Sequence, residues 1–167
     1  MRKLTAVIAS VAWFAVTGVV GAVLVPWWLT GWQIRHPLPY WGIAQVFGVV
    51  LIAVGLIPPV HVFVQFVRAG GTPVPGAMPG HLVVTGFNSY VRNPIYLGAL
   101  TIVLGEALLF GQLSVLLYAL AAWAGCAVFV RWYEEPVLAR RFGPDYVAYR
   151  RAVPAWLPRL RPWSPNK

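Results

Sequence analysis

Apolar residues in this chain come in long runs separated by short polar or Gly/Pro-dense stretches. Residues 4–25 carry no charge and exceed the roughly 18 apolar residues needed to cross a bilayer. A cleaved signal peptide has an apolar region of only about 7 to 15 residues, so 4–25 is predicted as a retained first span. A polar, aromatic loop at 26–39 leads to a second span at 41–67, where Pro58 and Pro59 are expected to kink the helix. The stretch 68–80 reads RAGGTPVPGAMPG and is a loop. From 95 to 132 the chain is apolar for about twice the length one span requires, with Gly111 and Gln112 as the interruption. It divides into spans at 95–110 and 113–133, a tight hairpin. The expected fold is therefore an all-α membrane protein: four transmembrane helices in one domain over 1–167, followed by short cytoplasmic amphipathic helices.

Those short helices are expected after Glu135, where the chain turns rich in Arg, aromatics and Pro. Pro136 and Pro144 suit first helical turns, and Gly143 would end the first helix. Leu138, Phe142, Tyr146 and Tyr149 recur at helical spacing and would form an apolar face on the membrane. Arg140, Arg141, Arg150 and Arg151 would then reach lipid phosphates.

Composition sharpens this picture. Hydrophobic residues make up 59% of the 167 and charged residues 10%, against about 25% charged in soluble domains. Trp27, Trp28, Trp32, Tyr40 and Trp41 sit at the ends of apolar runs, where amphipathic rings favour the headgroup layer. A formal charge of +9 raises nucleic acid as a partner. Cations that flank apolar spans instead follow the positive-inside rule, so no nucleic-acid partner is expected. Four spans put Arg2, Lys3, Arg68, Arg92, Arg131 and every later cation on one side and leave Arg35 on the other. Both termini are then cytoplasmic, in an integral membrane protein expected in a bacterial inner membrane. The single Cys126 lies in an apolar stretch and excludes an intramolecular disulfide or a multi-Cys metal site. His36, His61 and His81 are scattered without metal-ligand spacing. His61, just after the proline pair, is either a helix-end histidine or part of an acceptor pocket.

Only four residues are acidic, and each needs a reason to stand in or near hydrocarbon. Glu134 and Glu135 end the fourth span. Pro136 disfavours helical geometry at Glu135, so the pair is expected to mark where the chain leaves the membrane. Two readings stand: an interfacial Arg131–Glu135 pair at i, i+4, or carboxylates facing a polar pocket. Glu106, inside the third span, is read as structural.

A second polar cluster, GFNSYVRNPIYLG, runs from Gly86 to Gly98 into the third span. Pro94 suits a first helical turn and Asn93 an N-cap, leaving backbone donors aimed at an anion beside Arg92. The residues alone leave open whether that anion is a lipid phosphate or a bound ligand.

The ordered combination of Arg92-Asn-Pro-Ile-Tyr-Leu-Gly98, Glu134-Glu135 and Phe142-Gly-Pro-Asp-Tyr146-Val-Ala-Tyr149 resembles the isoprenylcysteine carboxyl methyltransferase family. These are integral membrane enzymes with bacterial relatives, and phosphatidylethanolamine N-methyltransferases share parts of the pattern. The resemblance covers about residues 80 to 160. It implies S-adenosylmethionine as methyl donor, held by the start of the third span, the end of the fourth and the C-terminal segment. By position, the donor site would comprise Gly86, Tyr90, Arg92, Asn93, Pro94, Tyr96, Leu97, Gly98, Glu134, Glu135, Tyr146 and Tyr149. Many members carry His where this chain has Asn93, so no residue is assigned here as catalytic acid or base.

The chemistry suits these residues. An Arg with helix-start amides on one side and two carboxylates on the other complements a ligand bearing a carboxylate, an ammonium, hydroxyls and a sulfonium. Gly98 would permit close approach, and Tyr96, Tyr146 or Tyr149 would stack on adenine or contact the sulfonium, or else anchor the chain at the interface. Methyl transfer from a sulfonium releases a neutral leaving group, so orientation and desolvation supply much of the acceleration without a metal. The expected partners are membrane lipids and a lipophilic acceptor taken from the bilayer. The competing readings are an NADPH-dependent enzyme like the sterol reductases, which resemble the Arg-x-Pro-x-Tyr part, and a non-catalytic membrane scaffold or sensor.

Overall fold

The computed structural model describes residues 12, 15, 16, 18–68 and 80–164. Half of the first predicted span and residues 69–79 of the predicted loop lie outside them. Among the described residues every regular element is helical. A π-helical turn, Val20–Leu24, runs into α1 (Val25–Thr30). Then come α2 (Gly42–Arg68), a 3-10 turn (Gly86–Ser89), α3 (Pro94–Phe110) and α4 (Leu113–Phe129). A second π-helical turn, Val130–Glu134, joins α4 to α5 (Glu135–Ala152).

Among the described residues two segments are long and apolar enough to cross a membrane: Gly42–Gln65, and the helical run Leu113–Ala152 through its apolar half. Val20–Thr30 and Pro94–Phe110 are shorter apolar helices. The core helix of a soluble protein would bury such a surface, yet Ile43, Val46, Phe47, Val50, Val54, Ile57 and Val60 are all at least half exposed along α2. An uncovered apolar stripe of that length calls for an apolar solvent.

α2 and α3 pack through glycines seven residues apart. A Cβ on Gly48 would lie 2.6 Å from the carbonyl oxygen of Gly105, and one on Gly55 would lie 2.8 Å from that of Gly98. Small residues let the backbones approach where lipid offers no hydrophobic drive for association. The helix runs without a break through Pro58 and Pro59. Pro59 leaves the Gly55 carbonyl without its usual i+4 donor, and the backbone of Gly98 closes on that oxygen.

Three local expectations are corrected. Pro26 to Thr30 is helical rather than loop, and the chain leaves α1 only at Gly31, with φ 56°. Thr30 caps that end: its Oγ1 donates to Pro26 O at 2.7 Å and accepts from Trp32 N at 3.1 Å. Glu135 is helical (φ −60°, ψ −43°), so the chain passes the two carboxylates through the second π-turn without breaking. The break comes at Gly143, with φ 55° and ψ −129°. The third correction concerns Leu138, Phe142, Tyr146 and Tyr149, which face the protein rather than a bilayer. They pack on Leu82, Val84 and Trp163, because the stretch before the 3-10 turn and the chain after α5 supply the apolar cover.

Candidate functional site

The three polar motifs converge where α3 begins and α5 leaves α4. Each is set by a different local device. Pro94 opens α3 without wasting a backbone donor. The second π-turn carries Glu134 and Glu135 on continuous helix. The Gly143 break starts the half of α5 that carries Tyr146, Tyr149 and Arg150.

Glu135 is buried and its carboxylate gathers cations. Arg92 Nη1 donates to Oε1. Arg150 Nη2 lies 3.1 Å and Arg131 Nη1 3.5 Å from Oε2, contacts that lack hydrogen-bond alignment. The Arg131–Glu135 pair expected from spacing is thus present but is the longest of three. Arg92 Nη1 also reaches the Tyr146 hydroxyl at 3.4 Å.

Glu134 differs from its neighbour. Its Oε2 accepts from the Tyr96 hydroxyl at 3.1 Å, and no guanidinium among the described residues pairs with it. The Tyr96 ring lies 6.4 Å from that of Trp156, which in turn meets Trp123 edge-on at 6.3 Å. One carboxylate is therefore spent on internal cations, while the other stands among aromatic rings.

The chain after α5 straps across the 88–93 segment. Arg92 N donates to Pro154 O at 3.0 Å, Arg159 N to Tyr90 O at 2.9 Å and Trp163 N to Ser89 O at 2.9 Å. Tyr149 OH donates to Asn88 O at 2.7 Å. Asn93 holds the N-cap position but makes no capping bond with its side chain. Its amide donates to Ala155 O at 3.1 Å instead, so Asn93 fastens the strap. Burial pushes the hydroxyls of Tyr146 and Tyr149 above the usual tyrosine range, with Arg92 pulling both the other way. Both therefore remain proton donors at neutral pH.

Several expected residues have other duties. Gly98 faces α2, where a side chain would collide with Pro59, and Gly86 (φ 58°) lies against His61 and Gln65. Pro94 is buried, and Leu97 O accepts from Thr101 Oγ1 at 2.7 Å. Tyr90 contributes backbone to the strap. The sequence reading missed Asn88, Trp123, Ala155, Trp156 and Arg159; a Trp between prolines in a polar tail was the one available signal for Trp156.

The cluster has the polarity to hold a small ligand of mixed charge. Arg92 Nε, Asn88 Nδ2 and Arg159 Nη1 are buried donors without partners among the described residues, suited to a carboxylate. Glu134 offers an acceptor free of cations for hydroxyls or an ammonium.

The family model for phospholipid methyltransferase matches residues 43–145 of this chain. Over 80 residues the chain is 39% identical to Protein-S-isoprenylcysteine O-methyltransferase of Schizosaccharomyces pombe, covering 47% of this chain and 34% of that protein. The aligned region thus spans about a third of that curated relative.

Proposed function

Because the chain belongs to the phospholipid methyltransferase family, we propose that it is a membrane methyltransferase that moves a methyl group from S-adenosylmethionine to a lipophilic acceptor. The observation that carries this reading is Glu134. It is a half-buried carboxylate ordered by Tyr96 and left unneutralised, beside a cluster in which Arg92, Arg131 and Arg150 are all engaged by Glu135.

The donor supplies an electrophilic methyl on a sulfonium, and transfer leaves a neutral thioether. The residues of this chain do the rest. Arg92 Nε and Asn88 Nδ2 donate to the ligand's carboxylate, and Glu134 accepts from its hydroxyls or ammonium. Tyr96, Trp123 and Trp156 offer π faces that stabilise positive charge. The strap over residues 88–93 closes the cluster to water, which strengthens each of these interactions.

The chain is integral to the membrane, with four spans that leave both termini and the cluster on the cytoplasmic side. The asymmetry of Lys and Arg between the two sides supports that orientation. The acceptor arrives from the bilayer beside α2 and α4.

Thermal-shift and calorimetric titration of the detergent-solubilised protein tests the reading. S-adenosylmethionine should stabilise it increasingly with concentration, as linkage requires, and NADPH should not. Stabilisation by NADPH alone would overturn the reading in favour of a reductase. Binding without turnover across lipophilic amines, thiols and carboxylates would favour a scaffold.

A further inference from the structure

At the opposite end of the bundle, roughly 22 Å along α3 from Tyr96, the α3–α4 hairpin and the loop before α2 enclose a cavity of about 940 Å³. Its walls include Trp41 just before α2, Leu51 from α2 and Leu104 and Leu108 from α3, and Arg35 and His36 are also part of the lining. Fixed bonds hold this arrangement. Arg35 N donates to Phe110 O at 2.8 Å, Trp41 Nε1 to Leu108 O at 2.9 Å and Gln45 Nε2 to Leu109 O at 3.1 Å. Gln112 Nε2 ties the same loop down through Gln33 O at 2.7 Å.

These bonds satisfy carbonyls that the last turn of α3 would leave orphaned. The negative end of that helix is thereby quenched inside the protein. No carboxylate among the described residues pairs with Arg35, and Glu106 is not part of the lining. A cation is thus held at the mouth of an apolar cavity with its charge unanswered.

We propose that this cavity binds an anionic phospholipid, with its phosphate on Arg35 beside His36 and one acyl chain along Leu51, Leu104 and Leu108. Leucine walls alone select no lipid, since hydrocarbon is as apolar as they are; selection comes from the head. The guanidinium fork matches a phosphate in two bonds. A zwitterionic lipid brings its own ammonium to the same place and gains less. The cavity also has the right depth: the ten residues from Trp41 to Leu51 rise about 15 Å, which is half of a hydrocarbon core of about 30 Å.

Native mass spectrometry of the full chain in detergent, titrated with phosphatidylglycerol and with phosphatidylcholine of the same acyl chains, tests the site. The native chain should retain phosphatidylglycerol preferentially. Arg35→Gln should lower that retention about fivefold, the effect of ~1 kcal/mol for one arginine near an anionic surface, and leave phosphatidylcholine unchanged. Leu104→Trp, which fills the cavity, should lower retention of both lipids. Arg161→Gln, at an exposed arginine of the other end, should change neither. A preference that survives Arg35→Gln, retention unmoved by Leu104→Trp, or a loss as large in Arg161→Gln would each overturn the proposal.

Discussion

Replacing Glu135 by Gln should damage the fold more than the chemistry. The side chains of Arg92 and Glu135 are 12% and 5% exposed, whereas those of Arg150 and Arg131 are 41% and 64% exposed. Solvent screens the outer two, so each contributes little. The loss therefore falls on the inner pair. Breaking a buried pair by removing one partner strands the other charge and costs about 3–5 kcal/mol. Arg92 keeps some contact with water, so the lower figure of about 3 kcal/mol applies here. For a chain of this size about 2–4 °C of Tm corresponds to each kcal/mol, which gives a fall of roughly 6–12 °C. Intrinsic fluorescence from the nine Trp residues reads that transition in detergent. Arg92→Met combined with Glu135→Leu should be less destabilised than the sum of the single changes, because neither charge is then stranded. A Tm for Glu135→Gln within about 2 °C of the native value would refute the assignment of Glu135 as the internal counter-ion.

The neighbouring carboxylate should behave oppositely. Glu134→Gln should leave Tm nearly unchanged and weaken S-adenosylmethionine binding at least about tenfold by calorimetry, a loss of ~1.4 kcal/mol; unchanged affinity removes Glu134 from the donor site. Gly98→Ala should destabilise by about 1–3 kcal/mol through overpacking against Pro59. Thermal unfolding checks it, and a native Tm would contradict the close approach of α2 and α3. Tyr149→Phe removes the bond to Asn88 O at about 1 kcal/mol, and hydrogen exchange at residues 88–92 should rise with it; unaltered exchange there would show that the strap does not depend on this hydroxyl.

The apolar runs made the helices legible, and so did the interruption at Gly111, whose φ of 62° ends α3 where glycine is favoured. The convergence of Arg92, Glu135 and Tyr146 was legible only through the resemblance, since no spacing rule relates residues 43 or 54 positions apart. The division of labour between the two glutamates was not legible at all. It depends on Arg92 arriving from the segment before α3 and on the Gly143 break returning Arg150 to the start of its own helix, neither of which local pattern encodes. For the same reason Asn93 looked like a cap: its local position is that of a cap, but Ala155 O, brought by a distant segment, takes the amide. Gly86 and Gly98 stood inside a ligand-like motif, yet their missing side chains make room for α2.

Proline misled the reading of boundaries in a consistent way. Pro26 was expected to begin a loop, and Pro136 to disfavour helix at Glu135 and open a separate short helix; each instead follows a π-turn, Val20–Leu24 and Val130–Glu134, by a single intervening residue. In both, that residue donates its N–H five positions back, Val25 to Val20 O and Glu135 to Val130 O. The shift from i−4 to i−5 pairing widens the turn just before the ring that lacks a donor, so the helix accommodates the proline without reversing direction. The consequence at the second π-turn bears on function. Had the chain broken at Glu135, both carboxylates would have been free to turn to water. Continuous helix holds them one residue apart on a rigid element, which commits Glu135 to Arg92 and keeps Glu134 against Tyr96. A rule that treats proline only as a terminator therefore hides the device that separates the carboxylate paired with Arg92 from the one proposed to meet a ligand.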